Sequence, residues 1–318
     1  MNFLTPVIHP MIDSFYKKFD DMFTEQSQRT NFRLYGTGLL LEIKRKNIWY
    51  ISDHIIDANY QSMHHFVSDS PWNGEEFNCR RIKILESNRS TRSCKDGYVI
   101  IDDTGNPKSG DSTHATRRQW IGSLGKVDRG QVVVTSHYVD SRKDWPIDHR
   151  PYMPKKWVQE QNEFHGKDYV FKSKLELGLE LLDQLKEQNI RFSHALVDGW
   201  YGNSPDFIKG VESREFLYIT SLYANRRVYF RLSGEKNREE HSVKDVVTTL
   251  EGDAFSETRY TKANGEERTV YVADVNLKVK NLPGKRRVLI VKPTPGETDM
   301  PNIDVLMSND TLSDVPSL

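Results

Sequence analysis

The 318 residues predict an α/β chain with a helical first third, a sheet-and-helix centre and a β-rich stretch near the end. Three observations carry this. Apolar residues recur at helical spacing up to about residue 95, as in Met11, Phe15, Phe19 and Phe23 and again in Ile48, Ile51 and Ile55. Short apolar runs that end in aspartate, YVIIDD and ALVD, then alternate with helical segments, the order of an α/β sheet. From about residue 226 to 291 the texture changes to alternating β-prone segments.

Each element has a local reason. In SDSPWNGEEF, Pro71 follows a serine and an aspartate and precedes acidic residues, so a helix is expected to begin near Ser70. Tyr98, Val99, Ile100 and Ile101 form a continuous apolar run bounded by Gly97 and by Asp102 and Asp103, which predicts a central strand buried on both faces. Strands over Trp120 to Leu124 and Gln131 to Tyr138, separated by the turn-rich GKVDRG, extend it as a hairpin. In SKLELGLELLDQLKEQN, Ser173 and Glu176 form a capping box, and Leu175, Leu179, Leu182 and Leu185 supply the apolar stripe. HALVDGWYG predicts a strand ending in Asp198, followed by a helix from Ser204 and the strand FLYITSL. RVYFRL, RYTKANGEERTVYVADVNLKV and RRVLIV read as a β insertion with Asn264-Gly265 as a hairpin turn. PTPGETDMPN is a surface loop, and Ile303 to Met307 a last short strand.

Composition excludes several classes. No run of about 18 apolar residues occurs, and MNFLTPVIHPMIDSFYKKFD lacks the basic-then-apolar plan of a signal peptide, so a cytoplasmic protein is expected. Cys79 and Cys94 have no partner spacing, and His64, His65, His114 and His137 share no ligand spacing with them, which argues against a disulfide framework and a zinc enzyme. A formal charge of +0 argues against coating nucleic acid by bulk electrostatics. Contact with DNA must rely on local patches: Lys44, Arg45 and Lys46; Arg80, Arg81 and Lys83; Arg117 and Arg118; Lys285, Arg286 and Arg287. Taken singly, such runs normally face water.

The chemistry is carried by carboxylates. Side chains just past the carboxyl ends of central strands project into the crevice where ligands bind, and Asp103 and Asp198 take such positions. Two converging carboxylates suit a hard divalent cation. An aspartate at a strand end is also a common turn former or helix cap, and a metal-free acid and base pair would serve a glycosidase. The pattern alone leaves these open. Lys108, Arg117, Arg118 and Gln119 lie near the crevice mouth, as phosphate contacts or as solvated strand-edge charges. Trp200 and Tyr201 suit base stacking or core packing.

Five ordered segments narrow the choice. LLLEIKRKNIWYIS and YQSMHHFVSDSPWNGEEF, then VIIDDTGNPKSGDSTHATRRQWIGSLGKVDRGQVVV, then RPYMPKKWV and LVDGWYGNSPDF, resemble in order and spacing the DDE transposases of insertion sequence family seven-zero-one, within the RNase H-like class. The resemblance implies an RNase H-like mixed-sheet core in residues 96–225, after a helical DNA-binding domain in 1–95. A β-rich insertion in 226–300 and a truncated return to the core in 301–318 would follow. It makes Asp103 the first catalytic metal ligand, with Asp102 as the adjacent alternative, and Asp198 the second. It implies Mg²⁺ or Mn²⁺ in a two-metal site, and Lys46, Lys108, Arg117, Arg118 and Trp200 as DNA contacts. Transposon ends and target DNA would be the partners, bound by a homodimer in a synaptic complex at the bacterial nucleoid.

The family's third acid is a glutamate on a helix that opens with an aromatic and arginine-rich stretch. No glutamate follows Glu297 in the 318 residues, and LMSNDTLSDVPSL stops before such a helix. The expectation is a C-terminally truncated transposase that is inactive or nearly so by itself. A DNA-binding remnant acting as a repressor of transposition is the alternative.

Overall fold

The computed structural model describes residues 10–110, 113–232, 236–250, 252–262 and 264–311. The chain divides into two units, Met1–Asn88 and Arg89–Leu318.

The first unit is helical: α1 Pro10–Lys17, α2 Gln26–Leu40, α3 Ile48–His54, α4 Tyr60–Ser68 and α5 Gly74–Ser87. Asparagines set three of the starts, since Asn47, Asn59 and Asn73 each accept a backbone N–H of the following first turn. Asn73 takes two, from Glu75 and Glu76, so α5 begins at Gly74 instead of near Ser70. The preceding Trp72 is held back by an indole bond to the Phe66 carbonyl, 3.0 Å. The expected stripe from Met11 to Phe23 is split. Helix α1 stops at Lys17, a 3₁₀ turn over Asp20–Met22 carries Phe19 and Phe23 into an aromatic core with Phe66, and Met11 is left 73% exposed.

The second unit begins with β1 Tyr98–Pro107, β2 Arg117–Ile121, β3 Lys126–Val139 and β4 Asp144–Tyr152. Helices α6 Lys155–His165 and α7 Lys174–Glu187 precede β5 His194–Val197, α8 Gly199–Gly202, α9 Pro205–Ser213 and β6 Leu217–Ser221. The β-rich stretch holds β7 Arg227–Phe230, β8 Glu239–Ser242, α10 Val243–Thr249, β9 Ser256–Thr261, β10 Glu267–Val279, β11 Arg286–Lys292 and β12 Asp304–Ser308. The part of the expected return to the core beyond residue 311 lies outside the described residues.

Pairing gives the order β2-β3-β1-β5-β6-β12-β11-β10-β7-β8, with β4 on β3 and β9 on β10. Strand β1 runs antiparallel to β3 and parallel to β5, and β5 parallel to β6. A mixed α/β sheet of this kind is RNase H-like. The β-rich stretch is hydrogen-bonded into the same sheet, because β12 pairs with β11 on one side and β6 on the other.

Several elements form where local chemistry places them. Ser173 and Glu176 close the capping box of α7, Ser204 caps α9, and Gly265 turns the β9–β10 hairpin at φ +82°. The buried stripe of α7 is shifted to Leu177, Leu181, Leu182 and Leu185 around Gly178, with Leu179 turned toward Gly210 of α9. Two strand predictions are corrected. Strand β1 is buried on one face: Val99 and Ile101 are sealed, while Ile100 is 36% exposed. The GKVDRG turn is confined to Gly125, whose φ of +60° reverses the chain, so Val127, Asp128 and Arg129 are paired strand residues.

Candidate active site

Strand β1 continues through both aspartates, and alternation sends them to opposite faces. Parallel pairing of β1 with β5 matches Ile101 to Val197, both buried on the same face. One residue further, Asp102 takes the opposite face of β1, and Asp198 follows the end of β5 as the cap of α8. Asp198 keeps extended backbone at φ −72° and ψ 174°. The electrostatics agree: burial raises the Asp102 carboxyl above its ordinary range, and the charges of Asp198 and then Asp103 raise it further.

Asp198 is also the cap of α8, accepting from the N–H groups of Trp200 at 3.0 Å and Tyr201 at 3.1 Å. Both bonds fall on Oδ1, and Oδ2 accepts none from the described residues. The cap locks the carboxylate in place. It is backed by Thr220, whose hydroxyl donates to the Asp198 carbonyl at 3.0 Å. A β-carbon on Gly202 would overlap that hydroxyl, so only glycine allows α8 this close to β6.

Asp103 is committed elsewhere. Its carboxylate accepts from Lys174 Nζ at 2.7 Å, at the start of α7. The Lys174 ammonium also lies 5.8 Å from the Trp200 ring centroid and 5.7 Å from that of Tyr152. Tyr201 is fully buried, and its hydroxyl is pushed above the usual tyrosine range by burial, then by the charges of Asp103, Asp102 and Asp198. Trp200 is 47% exposed and Tyr223 48% exposed. Tyr223 lies near the pair, since burial raises its hydroxyl and the Asp198 charge adds to this.

Sequence reading put Asp103 first, with Asp102 as the adjacent alternative, beside Asp198, and did not single out Lys174 or Tyr223. The parity of β1 against the apolar pairs Val99–Ile101 and Ala195–Val197 was the available signal for Asp102. Among the described residues no group of three or more His, Cys, Asp and Glu side chains is arranged to hold a metal ion. The Asp102–Asp198 pair offers oxygen donors whose mutual repulsion a divalent cation would relieve, and in that sense it fits one.

The basic candidates separate. Lys46 donates to the Leu39 carbonyl at 2.7 Å in the helical unit. The Lys108 backbone N–H bonds to the Arg129 carbonyl at 3.0 Å. Arg117 pairs with Glu160, while Arg118 is exposed. Arg80 is paired with Asp21, and Arg287 binds Asp274 at 2.6 Å. Arg286 is buried against Glu212 at 2.6 Å and the Tyr218 hydroxyl at 3.1 Å. These last three hold the fold together. Among the described residues no helix is long and apolar enough to cross a membrane.

Residues 18–243 match the profile of the DDE superfamily endonucleases, and the chain belongs to that family. It is also similar to the probable transposase for insertion sequence element IS701 of Microchaete diplosiphon, with 25% identity over 258 residues, or 76% of this chain. The chain spans 65% of the length of that relative.

Proposed function

We propose that the chain acts on DNA as the transposase of an insertion sequence, cleaving 3′ ends at the element's termini and transferring them to target DNA. The observation that carries this is Asp102, midway along β1 and within the field of Asp198, which follows the end of the adjacent parallel strand β5. Those two carboxylates would hold Mg²⁺ or Mn²⁺, which supplies Lewis-acid activation of an attacking oxygen and stabilisation of the leaving one. In this reading Asp102 is the first ligand in place of Asp103, and Asp103 serves through Lys174 as a half-buried anchor of α7. Asp198 is held in orientation by the two N–H groups of α8. Trp200 and Tyr223, exposed near the pair, offer rings on which an unstacked nucleotide can rest.

A cytoplasmic location with homodimers in a synaptic complex belongs to the same reading. The deciding experiment is Mn²⁺ binding followed by electron paramagnetic resonance. Asp102→Asn and Asp198→Asn should each weaken binding about tenfold or more, with Asp103→Asn close to wild type. If Asp103→Asn loses the ion and Asp102→Asn keeps it, the first ligand is Asp103. Absence of Mn²⁺ binding in the wild-type chain would sink the metal reading.

A further inference from the structure

A cleft of about 570 Å³ opens between the β2–β3 hairpin and the start of α6. Arg117, Arg118, Arg129, Lys155 and Lys156 line it, with Glu160 as the carboxylate among the described lining residues. Glu160 is taken by Arg117. The nearest carboxylate on β3, Asp128, is bound by Lys126 at 2.8 Å. The side chains of Arg118, Lys155 and Lys156 make no hydrogen bond or ion pair among the described residues, and the Arg118 charge reaches Asp128 only at longer range.

Two features of this cleft cost stability. Arg118 and Arg129 are direct cross-strand partners, and like charges facing each other across strands repel. Lys155 and Lys156 occupy the first turn of α6, where cations oppose the helix dipole, and no acidic residue or side-chain cap offsets them. Beside them, on the same face of the hairpin as Arg118, Trp120 is 55% exposed opposite Val127, itself 52% exposed. A chain of formal charge +0 has carboxylates enough to pair Arg118, Lys155 and Lys156. Leaving these three without an ion pair suits an extended polyanion.

We infer that this cleft is a track for the DNA phosphate backbone away from the cut. The inference rests on the DNA reading above and adds a location to it. Along β1, Pro107 pairs with Gly130, next to Arg129, and lies five residues beyond Asp102. At ~3.3 Å per residue the cleft stands about 17 Å from the acid pair along the strand. That separation corresponds to about five base pairs of duplex. The cleft therefore grips the flank of the DNA whose end lies at Asp102 and Asp198.

The test is salt-titrated binding of a random-sequence duplex of about 40 base pairs to the full 318-residue chain. The triple variant Arg118→Gln/Lys155→Gln/Lys156→Gln should lower the slope of log K against log salt by about two to three and weaken binding ~10–100-fold at 0.1 M salt. Its Tm should be no lower than wild type, because repulsion has been removed. The charge-preserving Arg118→Lys should keep the wild-type slope. A triple variant with an unchanged slope overturns the cleft and leaves the DNA reading standing, whereas a wild-type chain that binds no duplex overturns both. If Arg118→Lys loses the slope as well, or if ~10 mM inorganic phosphate at matched ionic strength displaces the duplex, the backbone-track inference also fails.

Discussion

Asp102 and Asp198 crowd two negative charges into one strand-end position, whereas Arg118, Arg129, Lys155 and Lys156 spread positive charge along a cleft at the β2 margin. Both arrangements cost folding free energy, and both differ from the rest of the unit. Elsewhere Arg214 is matched to Asp183, Arg286 to Glu212 and Arg287 to Asp274. The two regions differ in the shape of the counter-charge they suit. A pair of carboxylates suits a compact ion, and a cleft lined from two strands and a helix suits a chain of phosphates. Like charges gathered in one place in a protein of balanced composition thus point to what it is built to hold.

The largest effect should come from breaking a matched pair. Arg286→Met leaves Glu212 without its cation and is expected to cost about 3–5 kcal/mol in urea denaturation. A loss below about 1 kcal/mol would remove the distinction between structural and ligand-facing cations. The acid pair is probed next, by pH. The Asp102 carboxyl titrates above its ordinary range, so protons compete with the cation at higher pH than a solvated aspartate would allow. Mn²⁺ affinity should fall about tenfold per pH unit once below that raised value. Calorimetry showing affinity flat down to the ordinary aspartate range would detach Asp102 from the ion.

The smallest effect concerns stability without metal. A carboxyl raised in the folded state binds its proton more tightly there than in the unfolded chain. Its protonated form therefore stabilises the fold at low pH, and that contribution is lost as pH rises through the raised value. Asp102→Asn should then raise Tm by roughly 1–2 °C at neutral pH, with the gain shrinking toward the carboxylate range. A lowered Tm in thermal scans would mean that Asp102 has a structural partner.

Legibility in the sequence tracked the range of the interactions. The caps at Ser173 and Ser204 and the turn at Asn264-Gly265 were readable because a few neighbouring residues decide them. The start of α5 was missed by four residues, since Asn73 competes for the same N–H groups that Ser70 and Pro71 suggested. Arg129 was read as part of a turn because Gly125 and Gly130 bracket it, yet Gly125 turns the chain and Gly130 sits in the ladder. The basic run at Lys285 to Arg287 looked like a surface patch. Its arginines are consumed by Glu212, 74 residues away, and Asp274, 13 residues away.

The sequence by itself determined the α/β class, the family and the acid that follows β5, because apolar runs, turn residues and motif order are local properties; β1 runs on past Asp102 and Asp103 to Pro107. What only the folded sheet decided is that the two adjacent aspartates take opposite faces of β1, Asp103 meeting Lys174 and Asp102 feeling the Asp198 charge. The basic cleft was likewise assembled by folding, from β2, β3 and the first turn of α6, since electrostatic fields add through space and not along the chain.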